Sequence, residues 1–113
     1  LSRKIISIQR CKVNTLMYTP LYEDGLNHPV HADRHEPGWH SVIYYVTDGD
    51  NPTVFTDVKY PNLEHKESSY NIVNKVEPRK GRVVIFPSEL YHASTPTQLK
   101  KRVAANYVVK FED

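Results

Sequence analysis

One cysteine, one methionine, one tryptophan and four glycines are all that 113 residues contain of those types. A lone Cys11 cannot close an internal disulfide, so no covalent staple is expected and a reducing, cytoplasmic-type compartment fits. No apolar run approaches the ~20 residues that span a bilayer, and no signal-peptide core stands out. Leu1 occupies the place of an initiating Met, as in a piece trimmed from a longer chain. Fifteen basic against thirteen acidic side chains leave a net charge of +2, too small an excess to imply nucleic acid as the partner. Helical periodicity is missing as well, because apolar residues nowhere recur in a sustained i, i+3, i+4, i+7 pattern.

What the chain does have is β-forming residues broken at short intervals. Eight tyrosines accompany many valines and isoleucines, and eight prolines punctuate them. One all-β domain spanning residues 1–113 is predicted, since a second core would need roughly 50 more residues. Strands are expected at Lys4–Val13, Leu16–Tyr22, His40–Thr47, Thr53–Val58, Tyr70–Glu77, Arg82–Pro87, His92–Ser94 and Arg102–Phe111, a number that suits a barrel or sandwich. Asp48-Gly49-Asp50-Asn51-Pro52 combines residues that tolerate left-handed geometry with a proline, so Ile43–Val46 and Thr53–Phe55 are predicted to form a hairpin. Arg82-Val83-Val84-Ile85-Phe86 is apolar on both faces after its first residue, as in a central strand covered on both sides. The run Asn62–Ser69 is the candidate surface loop, and Arg79-Lys80-Gly81-Arg82 suits a solvated turn.

His31-Ala32-Asp33 places an imidazole and a carboxylate at i and i+2, on one face of an extended backbone. A third donor from a distant strand would complete a facial triad with open coordination positions on a ferrous ion. His92 fits, following the apolar strand and Pro87. Ten positions further, Arg102 opens the apolar run Val103–Val109. A guanidinium turned into such a core is costly unless an anion pairs with it, and a carboxylate is its natural bidentate partner. A cosubstrate that chelates iron at one end and carries a carboxylate at the other satisfies both groups, and 2-oxoglutarate has that shape.

Taken in order, these residues resemble the 2-oxoglutarate/Fe(II)-dependent oxygenase superfamily, particularly its prolyl-hydroxylase-like branch and its small phage and marine-microbial members. The likeness runs from Leu16 to Phe111 through Tyr22 and Gly25, His31-Ala32-Asp33, Val42-Ile43-Tyr44-Tyr45-Val46, Pro52-Thr53-Val54-Phe55, Lys80-Gly81-Arg82 to Pro87, His92, and Arg102-Val103-Ala104-Ala105-Asn106-Tyr107. It implies a double-stranded β-helix, the cupin-like jelly roll, with Fe(II) on His31, Asp33 and His92 and the distal carboxylate of 2-oxoglutarate on Arg102. It also implies Tyr45 on that carboxylate, Tyr22 and Asn106 in the pocket, O2 as oxidant and ascorbate as accessory reductant. The expected reaction is hydroxylation of a peptidyl substrate, prolyl first, or of a small molecule, with release of succinate and CO2. Asn51-Pro52 departs from the Gly-Gly pair that often precedes the T-x-F strand, and the buttressing N-terminal helices have no obvious room.

Trp39, Tyr44, His40 and Arg34 are candidates for an entrance. Two other classes stay open. Gly81, Pro87 and His92 resemble half of the second cupin motif, with Glu36 near Asp33 as a ligand candidate, and a non-catalytic β-barrel binding module would use the same scaffold.

Overall fold

The computed structural model describes residues 3–17, 28–63, 70–99 and 101–112. Every element among them is a strand, and no helix of the described residues is long and apolar enough to cross a membrane. In chain order the strands are β1 (Ile5–Met17), β2 (Trp39–Tyr45), β3 (Thr53–Lys59), β4 (Ile72–Val76), β5 (Val83–Pro87), β6 (Leu90–Ala93) and β7 (Lys101–Phe111).

They form two antiparallel sheets, β1-β7-β2-β5 and β4-β3-β6. His31 adds a bridge to His92 beside β6, and further backbone bonds from His28 to Ser94 and from Asp33 to Ser88 carry that pairing along the same edge. The resulting order is compatible with a jelly roll. Residues from both sheets meet in one core of Ile43, Tyr45, Phe55, Phe86 and Ala104, with Val76, Val84 and Leu90 packed against it. The Phe55 and Phe86 rings meet edge to face, centroids 4.9 Å apart, a favoured arrangement for aromatic quadrupoles.

Three sequence expectations are corrected. Lys4–Val13 and the start of Leu16–Tyr22 form a single strand, because β7 pairs continuously with β1 from Val13↔Ala105 to Met17↔Lys101 and no Gly or Pro interrupts it. Residues 18–22 lie outside the described residues, as do residues 64–69 of the Asn62–Ser69 loop. The β2–β3 hairpin does not form, since the two strands belong to different sheets. Asp48–Pro52 crosses between them, tied down by Gly49 N–H to the Pro78 carbonyl (3.1 Å), Lys80 N–H to Asp48 Oδ1 (2.8 Å) and the Thr97 hydroxyl to Asp50 Oδ1 (2.6 Å). The third correction concerns β5, an edge strand whose Val83 and Ile85 are 49% and 40% exposed.

The turn before β5 agrees with expectation. Arg82 N–H bonds the Arg79 carbonyl, and Gly81 adopts a φ of 86° that only glycine takes without strain.

Inward Phe86 and outward Ile85 therefore contribute very differently to stability. Phe86→Ala is expected to lower the unfolding free energy by about 3–5 kcal/mol and Ile85→Ala by under about 1 kcal/mol, as measured by urea denaturation. Equal losses would contradict this assignment of faces.

Candidate metal centre

The triad is assembled by backbone pairing. His31 N–H bonds the His92 carbonyl at 3.0 Å, and His92 N–H returns the bond to the His31 carbonyl at 2.9 Å. Residues paired in this way project side chains to the same face, and the imidazole centroids lie 4.6 Å apart. Asp33, two residues on, shares that face. One ligand atom from each of His31, Asp33 and His92 lies within 4.8 Å of the others, and each Nε2 sits 3.4 Å from an Asp33 oxygen.

Both rings are oriented by hydrogen bonds on their far nitrogens. His31 Nδ1 faces the Pro29 carbonyl at 3.2 Å and His92 Nδ1 the Leu90 carbonyl at 2.9 Å. A carbonyl only accepts, so Nδ1 carries a proton in each ring, and Nε2, aimed at the carboxylate, is left to hold either a second proton or a metal. Phe86 meets the His92 ring edge-on at 4.7 Å and holds it against the core.

Asp33 is gripped from the opposite side. The Ser41 hydroxyl, itself paired with Ser88, donates to Asp33 Oδ2 at 2.6 Å. Burial alone would raise this carboxyl's pKa. Hydrogen bonds from His31, His92 and Ser41, together with the charge of His92, outweigh burial and hold it well below the ordinary carboxylate range. The His31 pKa is raised by its hydrogen bond to Asp33 against the opposing effect of burial. The site attracts positive charge.

A cavity of about 240 Å3 lies against the triad, and Arg102, Asn106, Thr53, Ser94 and Ile43 share its walls. Arg102 is buried, 4% exposed. Its Nε donates to Asn51 Oδ1 at 3.3 Å, its guanidinium carbon stands 5.8 Å from the Tyr45 ring centre, and burial lowers its pKa. Among the described residues no carboxylate lies in ion-pairing range of it. Asn51 is fixed in turn by its amide bond to the Thr95 carbonyl at 2.8 Å. A Cβ at Gly49 would come within 2.9 Å of Arg102 Cγ and of Asn51 Oδ1, so the crossing segment packs directly on the guanidinium's stem.

The other candidates fall in different places. Asn106 faces the cavity. Tyr45 is fully buried, with its hydroxyl 2.6 Å from Thr53 Oγ1, and Thr53 rather than Tyr45 faces the cavity. Tyr22 lies outside the described residues. None of the four entrance candidates lines this cavity. Arg34 lies over the Trp39 ring at 4.0 Å and bonds Glu36 at 2.7 Å, His40 packs edge-on against Phe111, and Tyr44 is exposed on β2. Sequence reasoning missed Ser41, Asn51, Thr53 and the β1 residues Asn14, Thr15 and Leu16 of the cavity wall.

The sequence matches the family model described as "Putative 2OG-Fe(II) oxygenase" over residues 17–107. The chain belongs to that family. No curated protein matches it.

A 2OG-Fe(II) oxygenase implies iron and 2-oxoglutarate, and the donor set fits both. Two Nε2 lone pairs directed at a carboxylate repel unless a proton or a cation sits among them. Their 3.4 Å separations from Asp33 make only weak hydrogen bonds when the rings are protonated, and they suit neighbouring ligands each about 2.1 Å from one metal. The buried, carboxylate-free Arg102 in the same cavity suits the far end of a diacid. Glu36, the ligand a cupin would enlist, turns to Arg34 instead.

Ser41→Ala removes the shortest hydrogen bond to Asp33 while leaving all three ligands in place. Mn(II) affinity is expected to fall about 10- to 100-fold, as read by titration calorimetry. Unchanged affinity would show that Ser41 does not orient the ligand.

Proposed function

We propose that this chain is an Fe(II)- and 2-oxoglutarate-dependent hydroxylase, with His31, Asp33 and His92 as metal ligands and Arg102 as the seat for the distal carboxylate of 2-oxoglutarate. The observation that carries this is one cavity holding both a two-His, one-carboxylate cluster and a buried arginine with no carboxylate beside it among the described residues. Bound iron, with 2-oxoglutarate and O2, supplies the oxidation of a substrate C–H bond to an alcohol, yielding succinate and CO2.

The chain's own residues position and exclude. The carbonyls of Pro29 and Leu90 keep each Nδ1 protonated and each Nε2 available for the metal. Ser41 sets the plane of the Asp33 carboxylate. Asn51 engages Arg102 Nε, directing the terminal nitrogens toward an incoming carboxylate. Tyr45 acts through Thr53, fixing that hydroxyl in the cavity wall, and Asn106 offers an amide on the same face of β7. Phe55 and Phe86 close off the back of His92 and keep bulk water from the ligand. The substrate is a peptide, prolyl or otherwise, or a small molecule.

Succinate formation from 2-oxoglutarate in the presence of Fe(II) tests the assignment. Asp33→Ala is expected to abolish it together with metal binding. Arg102→Ala should mainly raise the 2-oxoglutarate KM, by about tenfold or more for a lost charge-assisted pair. Wild-type turnover in Asp33→Ala, or an unchanged KM in Arg102→Ala, would refute the corresponding role.

A further inference from the structure

A second, smaller hollow of about 170 Å3 adjoins the cavity, with Arg10 and Lys12 in its walls. Asn14, His31, Asp33 and Asn106 belong to both spaces, so the two meet at the triad. Strand β1 gives this arrangement a direction. Leu16 stands opposite Arg102, Asn14 opposite Ala104, Lys12 opposite Asn106 and Arg10 opposite Val108, and alternation puts all four on one face. Arg102 thus occupies one end of a continuous trough and two further cations the other, with the triad between them.

Asp33 is the one acidic side chain among the described residues lining the second hollow. Arg10 Nη2 lies 3.4 Å from Asp33 Oδ1, and the Arg10 side chain is 45% exposed. A divalent cation and Arg10 are rivals for that oxygen. With a metal on Asp33, the hollow presents Arg10 and Lys12 with no carboxylate of its own left to balance them, and a ligand anion offsets their repulsion.

We propose that Arg10 and Lys12 are the receptor for an anionic group, carboxylate or phosphate, on the substrate, and so restrict this oxygenase to acidic substrates. This rests on the metal assignment above. A peptide substrate must then bring an acidic side chain or a terminal carboxylate, and a small molecule its own acid group. Because the anion is bound at the end of the trough away from Arg102, it does not compete with 2-oxoglutarate, and it holds the intervening carbon beside the triad.

The test uses the whole chain loaded with Mn(II), which occupies the site without turnover, and saturated with 2-oxoglutarate. Calorimetric titrations with N-acetylglutamate and with O-phosphoserine supply the two anion sources, and N-acetylglutaminamide, with amides in place of both carboxylates, is the neutral control. At least one anion is expected to bind about tenfold tighter than the control or better, with the preference shrinking as salt rises. Lys12→Glu should abolish the preference. Lys12 is exposed, and an unchanged unfolding midpoint verifies that this variant folds. Equal affinity for charged and neutral ligands, or a preference that persists in an Arg10→Gln, Lys12→Glu double variant, overturns the proposal. Loss of Mn(II) binding in the wild-type chain would overturn the metal assignment itself, whereas Mn(II) and 2-oxoglutarate binding without anion preference would overturn this inference alone.

Discussion

The two backbone hydrogen bonds that His31 and His92 exchange are the interaction from which the rest of the centre follows. They pin residues far apart in the chain as direct partners on the edge of the smaller sheet. Sheet alternation then delivers Asp33 to the same spot, and the larger sheet answers with Ser41 from β2. The triad is therefore a product of strand pairing, built on scaffold more than on side-chain accommodation, which suits a centre that must hold its ligands to a fraction of an ångström.

Arg102 sets the second constraint. Removing a guanidinium from water costs several kcal/mol unless its donors are met, and here Asn51 and the face of Tyr45 meet only part of that need. Among the described residues no carboxylate supplies the rest. Asn51 is a buried amide that ties the sheet crossing at Gly49–Pro52 to both Thr95 and the arginine.

Much of this was legible from sequence where a single residue conflicts with its surroundings. His31 and Asp33 share a face by arithmetic alone, and Arg102 stands out because a charge opens an apolar strand. Less visible were features shared between distant strands. Ser41 is an ordinary serine until Asp33 is placed beside it, and the hydroxyl of Tyr45 finds Thr53 only because β2 and β3 lie in facing sheets. The turn-forming run Asp48–Pro52 serves a sheet crossing as readily as a hairpin, so its chemistry could not distinguish the two. Likewise Val83–Phe86, apolar on both faces, suited a central strand, yet it forms an edge with Val83 and Ile85 exposed. Arg10 and Lys12 gave no signal because exposed basic residues on a strand are commonplace.

The position of β1 has one more consequence. Among the described residues it is a long outer strand with apolar side chains such as Ile5, Ile8 and Val13 exposed, the kind of flank that invites another chain to add on and seed aggregates. Arg3 and Lys4 immediately precede it, and Arg10 and Lys12 lie along it. Two copies approaching flank to flank would bring these like charges together, a repulsion that opposes strand addition on this side.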